Sequence, residues 1–148
     1  GNIEPYKQIQ DAFVGAGIKS ELTADSALHV WTKYIFISPM AGMTSLLMKP
    51  FGAIMEDEGL QGLLRGLIKE TEAIARRKGI NLPENIVNVT LGKVTAFPYE
   101  TKTSIQLDFE KGRPTELEIF TGYIVRAGRE LGVPTPLHDD IYERLKNK

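Results

Sequence analysis

Lys33 is the only Lys, Arg, Asp or Glu between Ser26 and Met48, a run that holds Trp31, Tyr34, Ile35, Phe36, Ile37, Met40, Met43, Leu46 and Leu47. A cation in so apolar a setting either snorkels to water or is held where a reaction needs a proton. The chemistry on offer is general acid catalysis, because apolar surroundings disfavour an ammonium and ease release of its proton. At helical spacing Lys33, Ile37, Met40, Ala41 and Thr44 share one face, with the ammonium at the rim of an apolar wall. Thr101, Ser104 and Asp108 likewise read as three polar groups on one helical face, a pattern that by itself usually means a solvated surface. Glu116 follows Pro114 in what reads as a first helical turn, where a carboxylate is ordinarily accounted for by the helix dipole or by capping.

Composition narrows the remaining chemistry. Eighteen basic side chains against nineteen acidic give a net charge of -1, which argues against a nucleic-acid or anionic-membrane surface. There is no Cys, and the two histidines, His29 and His138, are isolated, so neither thiolate chemistry nor a metal site is expected. Gly15-Ala16-Gly17 lacks the third glycine of a dinucleotide loop, since Ser20 stands there, and it follows a helical pattern instead of a strand. Gly92-Lys93 is followed by Val94, which excludes a Walker loop. The first five residues lack the basic and apolar regions of a signal peptide, so a cytoplasmic location is expected. The Ser26–Met48 run could span a bilayer by length, but Lys33, Pro39, Gly42 and several Ser and Thr interrupt it, and it reads as a buried helix.

The elements that must position these residues are helical. Ile9, Ala12, Phe13 and Ala16 mark a first helix ended by Gly15 or Gly17. A long apolar helix spans about 23–48, with Thr23 as its N-cap, Asp25 at its positive end, and Pro39 kinking or dividing it. Leu60, Leu63, Leu64, Leu67, Ile68, Ile74 and Ala75 mark another helix, on which Gly62 and Gly66 could allow close packing. Pro83, Pro98 and Pro114 each open a further helix, the second from Tyr99 to about Phe109 and the third as far as Leu131. Arg77-Lys78-Gly79 and Glu130-Leu131-Gly132 each end a helix with Gly at the cap and Pro beyond, and a final helix runs from about His138 to Lys146. No strand pattern appears, so the fold class is all-α: a multi-helix bundle around one long, apolar, proline-interrupted central helix. At 148 residues one domain with one core is expected.

The string Thr103-Ser104-Ile105-Gln106-Leu107-Asp108-Phe109-Glu110-Lys111-Gly112-Arg113-Pro114-Thr115-Glu116-Leu117 resembles the signature of the C-terminal domain of the ketopantoate reductase (2-dehydropantoate 2-reductase) family. Gly122, Arg126, Gly128, Arg129, Gly132, Val133, Pro134, Thr135 and Pro136 continue the likeness. Trp31-Thr32-Lys33 resembles the family's Trp-x-Lys, and Glu70 through Gly79-Ile80 its midsection helix. The resemblance implies a single helical substrate-binding and dimerisation domain over residues 1–148, similar to the C-terminal domain of 6-phosphogluconate dehydrogenase. It also implies an N-terminal Rossmann domain, absent from this chain, that binds most of the NADPH, and a homodimer.

By position, Lys33 matches the family's general acid, and Glu116 matches a catalytic carboxylate that helps hold cofactor and substrate. Ser104 matches a substrate-contacting hydroxyl, and a carboxylate facing Lys33 would keep the lysine charged and able to donate. Ile37, Ala41 and Thr101 fall in the substrate site where the family commonly has asparagines, and each lost polar contact is worth roughly 1 kcal/mol. The resemblance therefore implies the C-terminal half of an NADPH-dependent reductase of a 2-oxo acid. The acid would be 2-dehydropantoate, on the route to pantothenate and coenzyme A, or a related acid suited to a more apolar pocket. In isolation the domain is expected to be inactive. The alternative is a non-catalytic helical dimerisation module that retains the scaffold.

Overall fold

The computed structural model describes residues 2–148, and among these the secondary structure is entirely helical. The helices are α1 (Lys7–Gly15), α2 (Ser26–Leu47), α3 (Phe51–Met55), α4 (Glu58–Arg77), α5 (Ile86–Thr95), α6 (Ser104–Glu110), α7 (Tyr123–Leu131) and α8 (Pro136–Lys146). A 3-10 turn, Glu4–Tyr6, precedes α1, and a π-turn, Glu118–Gly122, leads into α7.

Helix α2 is the axis of the bundle, packed by α4, α6, α8 and the π-turn. Ile35, Met40 and Met43 of α2 meet Leu64, Leu67 and Ile68 of α4 in one fully buried cluster. The helix runs unbroken through Pro39, against the expected division. Every residue from Ser38 to Ser45 is buried, and that much tertiary packing outweighs a proline's cost of about 3 kcal/mol. Its N-cap is Asp25, not Thr23: Asp25 Oδ1 accepts from Leu28 N at 2.9 Å, while Thr23 Oγ1 accepts one step earlier, from Asp25 N. No helix among the described residues is long and apolar enough to cross a membrane.

Three proline-led helices begin later than their prolines. The stretch from Pro98 to Thr103 is not helical: Phe51 N donates to Thr101 O and Gly52 N to Tyr99 O, both at 2.9 Å, so this segment straps α3 instead. Thr103 then caps α6, its Oγ1 accepting from Gln106 N. Thr101 therefore does not share a helical face with Ser104 and Asp108. After Pro114 the chain has no regular structure as far as Glu116, and after Pro83 a turn delays α5 to Ile86. The two glycine stops are as expected, with Gly79 at φ +81° and Gly132 at φ +66°.

Helix α8 is seated by α4. A Cβ on Gly66 would lie 2.5 Å from Leu137 Cδ1, so this glycine permits the close approach, whereas Gly62 has nothing within 4 Å. One turn on, the Glu70 carboxylate accepts from Leu137 N, His138 N and His138 Nδ1, capping α8 from a neighbouring helix. Helix α1 stands apart. It packs on its own preceding turn and is tied back by Gln10 Nε2 donating to Ser20 O, while Tyr6, Ile9, Phe13, Val14 and Ile18 remain exposed.

Candidate functional site

Lys33 projects from the N-terminal half of α2 and is exposed, beside a cleft of about 560 Å³. Helix α2 lines one side of this cleft with Leu28, His29, Thr32, Lys33 and Phe36. The other side comes from Pro83 before α5, Lys93 in its last turn, and Ala96 and Phe97 beyond it. Phe36 and Phe97 stack with centroids 5.5 Å apart and planes inclined by 13°, and Phe51 meets both edge-on from behind. That aromatic wall is rigid, and the cleft volume suits a small molecule.

On the other flank of the Lys33 stripe, Tyr34 anchors the π-turn. Its hydroxyl donates to Ile119 O (2.7 Å) and Phe120 O (2.6 Å), and its ring stacks on Phe120. Burial holds the Tyr34 phenol well above its ordinary pKa, so it acts as a donor throughout the physiological range. Glu116 opens this turn: its carbonyl accepts from Ile119 N and Phe120 N, and its side chain is exposed.

Ser104, the first residue of α6, stands next to Thr103, whose Oγ1 lies 2.7 Å from Thr44 Oγ1. Thr44 shares the Lys33 stripe of α2 but sits about 16 Å further along its axis. Ile37 lies half-buried between these levels, and Ala41 is buried at 2 % exposure. Thr101 is half-buried in the strap over α3.

Lys33, Ile37 and Ala41 lie along α2, but the structure does not enclose the predicted residues in one pocket. Lys33 lines the cleft, whereas Ser104, Thr101 and Glu116 do not. The expected Lys33–Glu116 pair is not formed: among the described residues neither side chain has an ion-pair partner within 4.0 Å. The reason is their placement on separate elements, Lys33 on α2 and Glu116 ahead of the π-turn.

Reasoning from the sequence missed the aromatic wall and Lys93. The Phe36–Phe97 contact joins residues far apart in the chain and leaves no local signal. Lys93 carried one, a cation in a last helical turn, which had been weighed only against a phosphate loop.

The sequence and the fold have counterparts among known proteins. The model of the family described as "Ketopantoate reductase PanE/ApbA C terminal" matches residues 25–148. A 2-dehydropantoate 2-reductase of Nostoc is 31% identical over 147 residues, covering 99% of this chain and 46% of the relative. The oxidoreductase YkpB of Bacillus subtilis is 26% identical over 145 residues, 97% of this chain and 47% of the relative. A dimeric ketopantoate reductase from Staphylococcus aureus superposes with a TM-score of 0.90 at 26% identity, covering 99% of this chain and 51% of that one. The chain spans about half the length of these relatives. With an all-helical fold around α2 and a match over most of its length, the chain belongs to the ketopantoate reductase family, as that family's C-terminal helical domain.

Proposed function

We propose that this chain is the substrate half of a reductase that converts a 2-oxo acid, 2-dehydropantoate or a related acid, into the 2-hydroxy acid with NADPH. The observation that carries this reading is Lys33: the one charged side chain of an apolar stretch, exposed at the edge of an apolar cleft, at the family's Trp-x-Lys position. A reduced nicotinamide, when bound, supplies the hydride for C2. Lys33 Nζ gives its proton to the ketone oxygen, and the ammonium stabilises negative charge developing there. Ser104 holds the substrate and Glu116 holds substrate and cofactor. Lys33, Ser104 and Glu116 fit this role, since all three are exposed and none has a side-chain hydrogen-bond partner among the described residues.

The cofactor would be held mainly by an N-terminal Rossmann domain of the same protein, and the working unit would be a homodimer. The uncovered apolar face of α1 supports the first partner, because a helix with that much exposed hydrocarbon needs a second surface to pack on. With 2-dehydropantoate as substrate the reaction serves pantothenate and coenzyme A synthesis.

The test uses the full-length protein, following NADPH absorbance with a panel of 2-oxo acids. Turnover with at least one acid, abolished in Lys33→Ala with folding intact, is the expected result. No oxidation with any acid would end the enzymatic reading and leave the non-catalytic module, for which Ile37, Ala41 and Thr101 in place of asparagines speak.

A further inference from the structure

The peptide unit between Ile119 and Phe120 is hydrogen-bonded at both ends. Its carbonyl, Ile119 O, accepts from the Tyr34 hydroxyl at 2.7 Å, and its N–H, on Phe120, donates to Glu116 O at 3.1 Å. A peptide unit is planar and stiff, so whatever fixes its carbonyl also fixes its N–H, and two such bonds in series polarise one another. The following carbonyl is held from the same side: Phe120 O lies 2.6 Å from the Tyr34 hydroxyl and 3.3 Å from Ser38 Oγ, one turn further along α2. Tyr34 itself follows Lys33 directly in the chain. A continuous path, through the Lys33–Tyr34 peptide bond and then two hydrogen bonds, therefore leads from the lysine to the backbone of Glu116, although the two side chains form no ion pair.

From this geometry we infer that Tyr34 is a positioning residue: through the Ile119–Phe120 peptide it holds Glu116 in place relative to Lys33. The inference rests on the reductase reading, in which Glu116 holds substrate and cofactor, and adds to it the residue that sets Glu116. Three features carry it. Residues 113–116 have no regular structure, so Glu116 takes its place from the bonds that follow it in the chain, not from a preceding element. The helical stretch beyond it opens as a π-turn, a rare geometry concentrated at functional sites, and the Ile119 and Phe120 carbonyls of that turn both accept from side chains of α2. The hydroxyl that reaches them is itself held: the Tyr34 ring stacks on Phe120 with centroids 6.2 Å apart and meets Trp31 and Tyr123 edge-on.

The experiment follows NADPH oxidation by the full-length protein with whichever of 2-dehydropantoate, 4-methyl-2-oxopentanoate and phenylpyruvate is turned over fastest. Tyr34→Phe removes one oxygen and keeps the ring contacts, and it should raise KM for the acid and for NADPH by about fivefold or more, with kcat within about threefold. Incorporating 4-aminophenylalanine at position 34 leaves a weaker donor in the same place and should give KM values between those of wild type and Tyr34→Phe; this comparison stands by itself if Tyr34→Phe does not fold. In a Glu116→Ala background Tyr34→Phe should change KM by under about twofold, because its effect passes through Glu116. Tyr142→Phe removes a bond to the Glu118 side chain on the same turn and should leave both KM values within about twofold of wild type. An unchanged KM in Tyr34→Phe, or in the 4-aminophenylalanine variant where Tyr34→Phe does not fold, would overturn the inference while leaving the reductase intact. So would an undiminished effect in the Glu116→Ala background or an equal loss in Tyr142→Phe. No oxidation with any acid would overturn the reductase reading and this inference with it.

Discussion

Replacing Glu70 by alanine is expected to destabilise this chain by about 3 kcal/mol. Glu70 Oε1 accepts from Leu137 N at 2.8 Å, and Oε2 accepts from His138 N at 3.0 Å and lies 2.7 Å from His138 Nδ1. His138 is 1% exposed and the Glu70 side chain 11%, so the contacts are largely shielded from water. Removing the carboxylate strands two backbone N–H groups at the start of α8 and one ring nitrogen. The backbone groups lie in a first helical turn that water reaches in part, at roughly 0.5–1 kcal/mol each, and the buried ring nitrogen adds roughly 1–2 kcal/mol. With a urea slope of about 1.5 kcal/mol per molar, the unfolding midpoint should fall by about 2 M. Glu70→Gln should lose about 2 kcal/mol, because its carbonyl still accepts while its amide opposes a donor. Glu72 provides the comparison: on the same helix it pairs with the partly exposed Arg76 at 2.8 Å, and Glu72→Ala should cost under about 0.5 kcal/mol. Equal midpoint shifts for Glu70→Ala and Glu72→Ala would refute the view that a carboxylate on α4 caps α8.

Gly52→Ala should destabilise the chain by about 1–3 kcal/mol and displace the strap carrying Thr101, since the new Cβ would fall 2.0 Å from Tyr99 Cδ2. Urea unfolding and the amide shifts of residues 97–104 report both effects. Phe13→Asp should change the stability of the 148-residue chain by under about 0.5 kcal/mol, because the ring is 47% exposed. In the full-length protein it should cost about 2 kcal/mol if α1 docks there, and thermal unfolding of both forms separates the cases. Glu118 accepts hydrogen bonds from Tyr142 and Arg126, and the Tyr142 hydroxyl first, then Arg126, hold its carboxyl below the usual pKa against the opposing effect of burial. A carboxylate depressed on folding contributes stability that is complete above its unfolded pKa and lost as pH falls through the folded one. Stability should therefore decline on the acid side of the ordinary carboxylate range, more steeply in wild type than in Glu118→Gln, as urea titrations at several pH values would read out.

How far the site could be read in advance depended on the range of each signal. Lys33 stood out because its contrast is with neighbours in its own helix, and α2 keeps Lys33, Ile37 and Thr44 on one stripe. Thr101 was misplaced because Pro98 looks like a helix opener within its own neighbourhood, whereas hydrogen bonds to Phe51 and Gly52, some fifty residues away, hold that stretch as a turn outside any helix. Glu116, expected in the first turn of a helix opened by Pro114, instead precedes the helical stretch that begins at Leu117, and a Lys33–Glu116 pairing depends on how two elements meet, which local spacing does not encode.

The amino-acid sequence by itself determined the all-α class, the glycine stops at Gly79 and Gly132, and the apolar axis with one cation, because capping and the 3.6-residue period act within a few residues. Tertiary structure alone decided that α2 would run unbroken through Pro39, that Glu70 would cap α8, and that Lys93 and the Phe36–Phe97 stack would stand beside Lys33. Each of these outcomes balances a local cost or preference against burial between segments distant in the chain, and that burial exists only once the helices have packed.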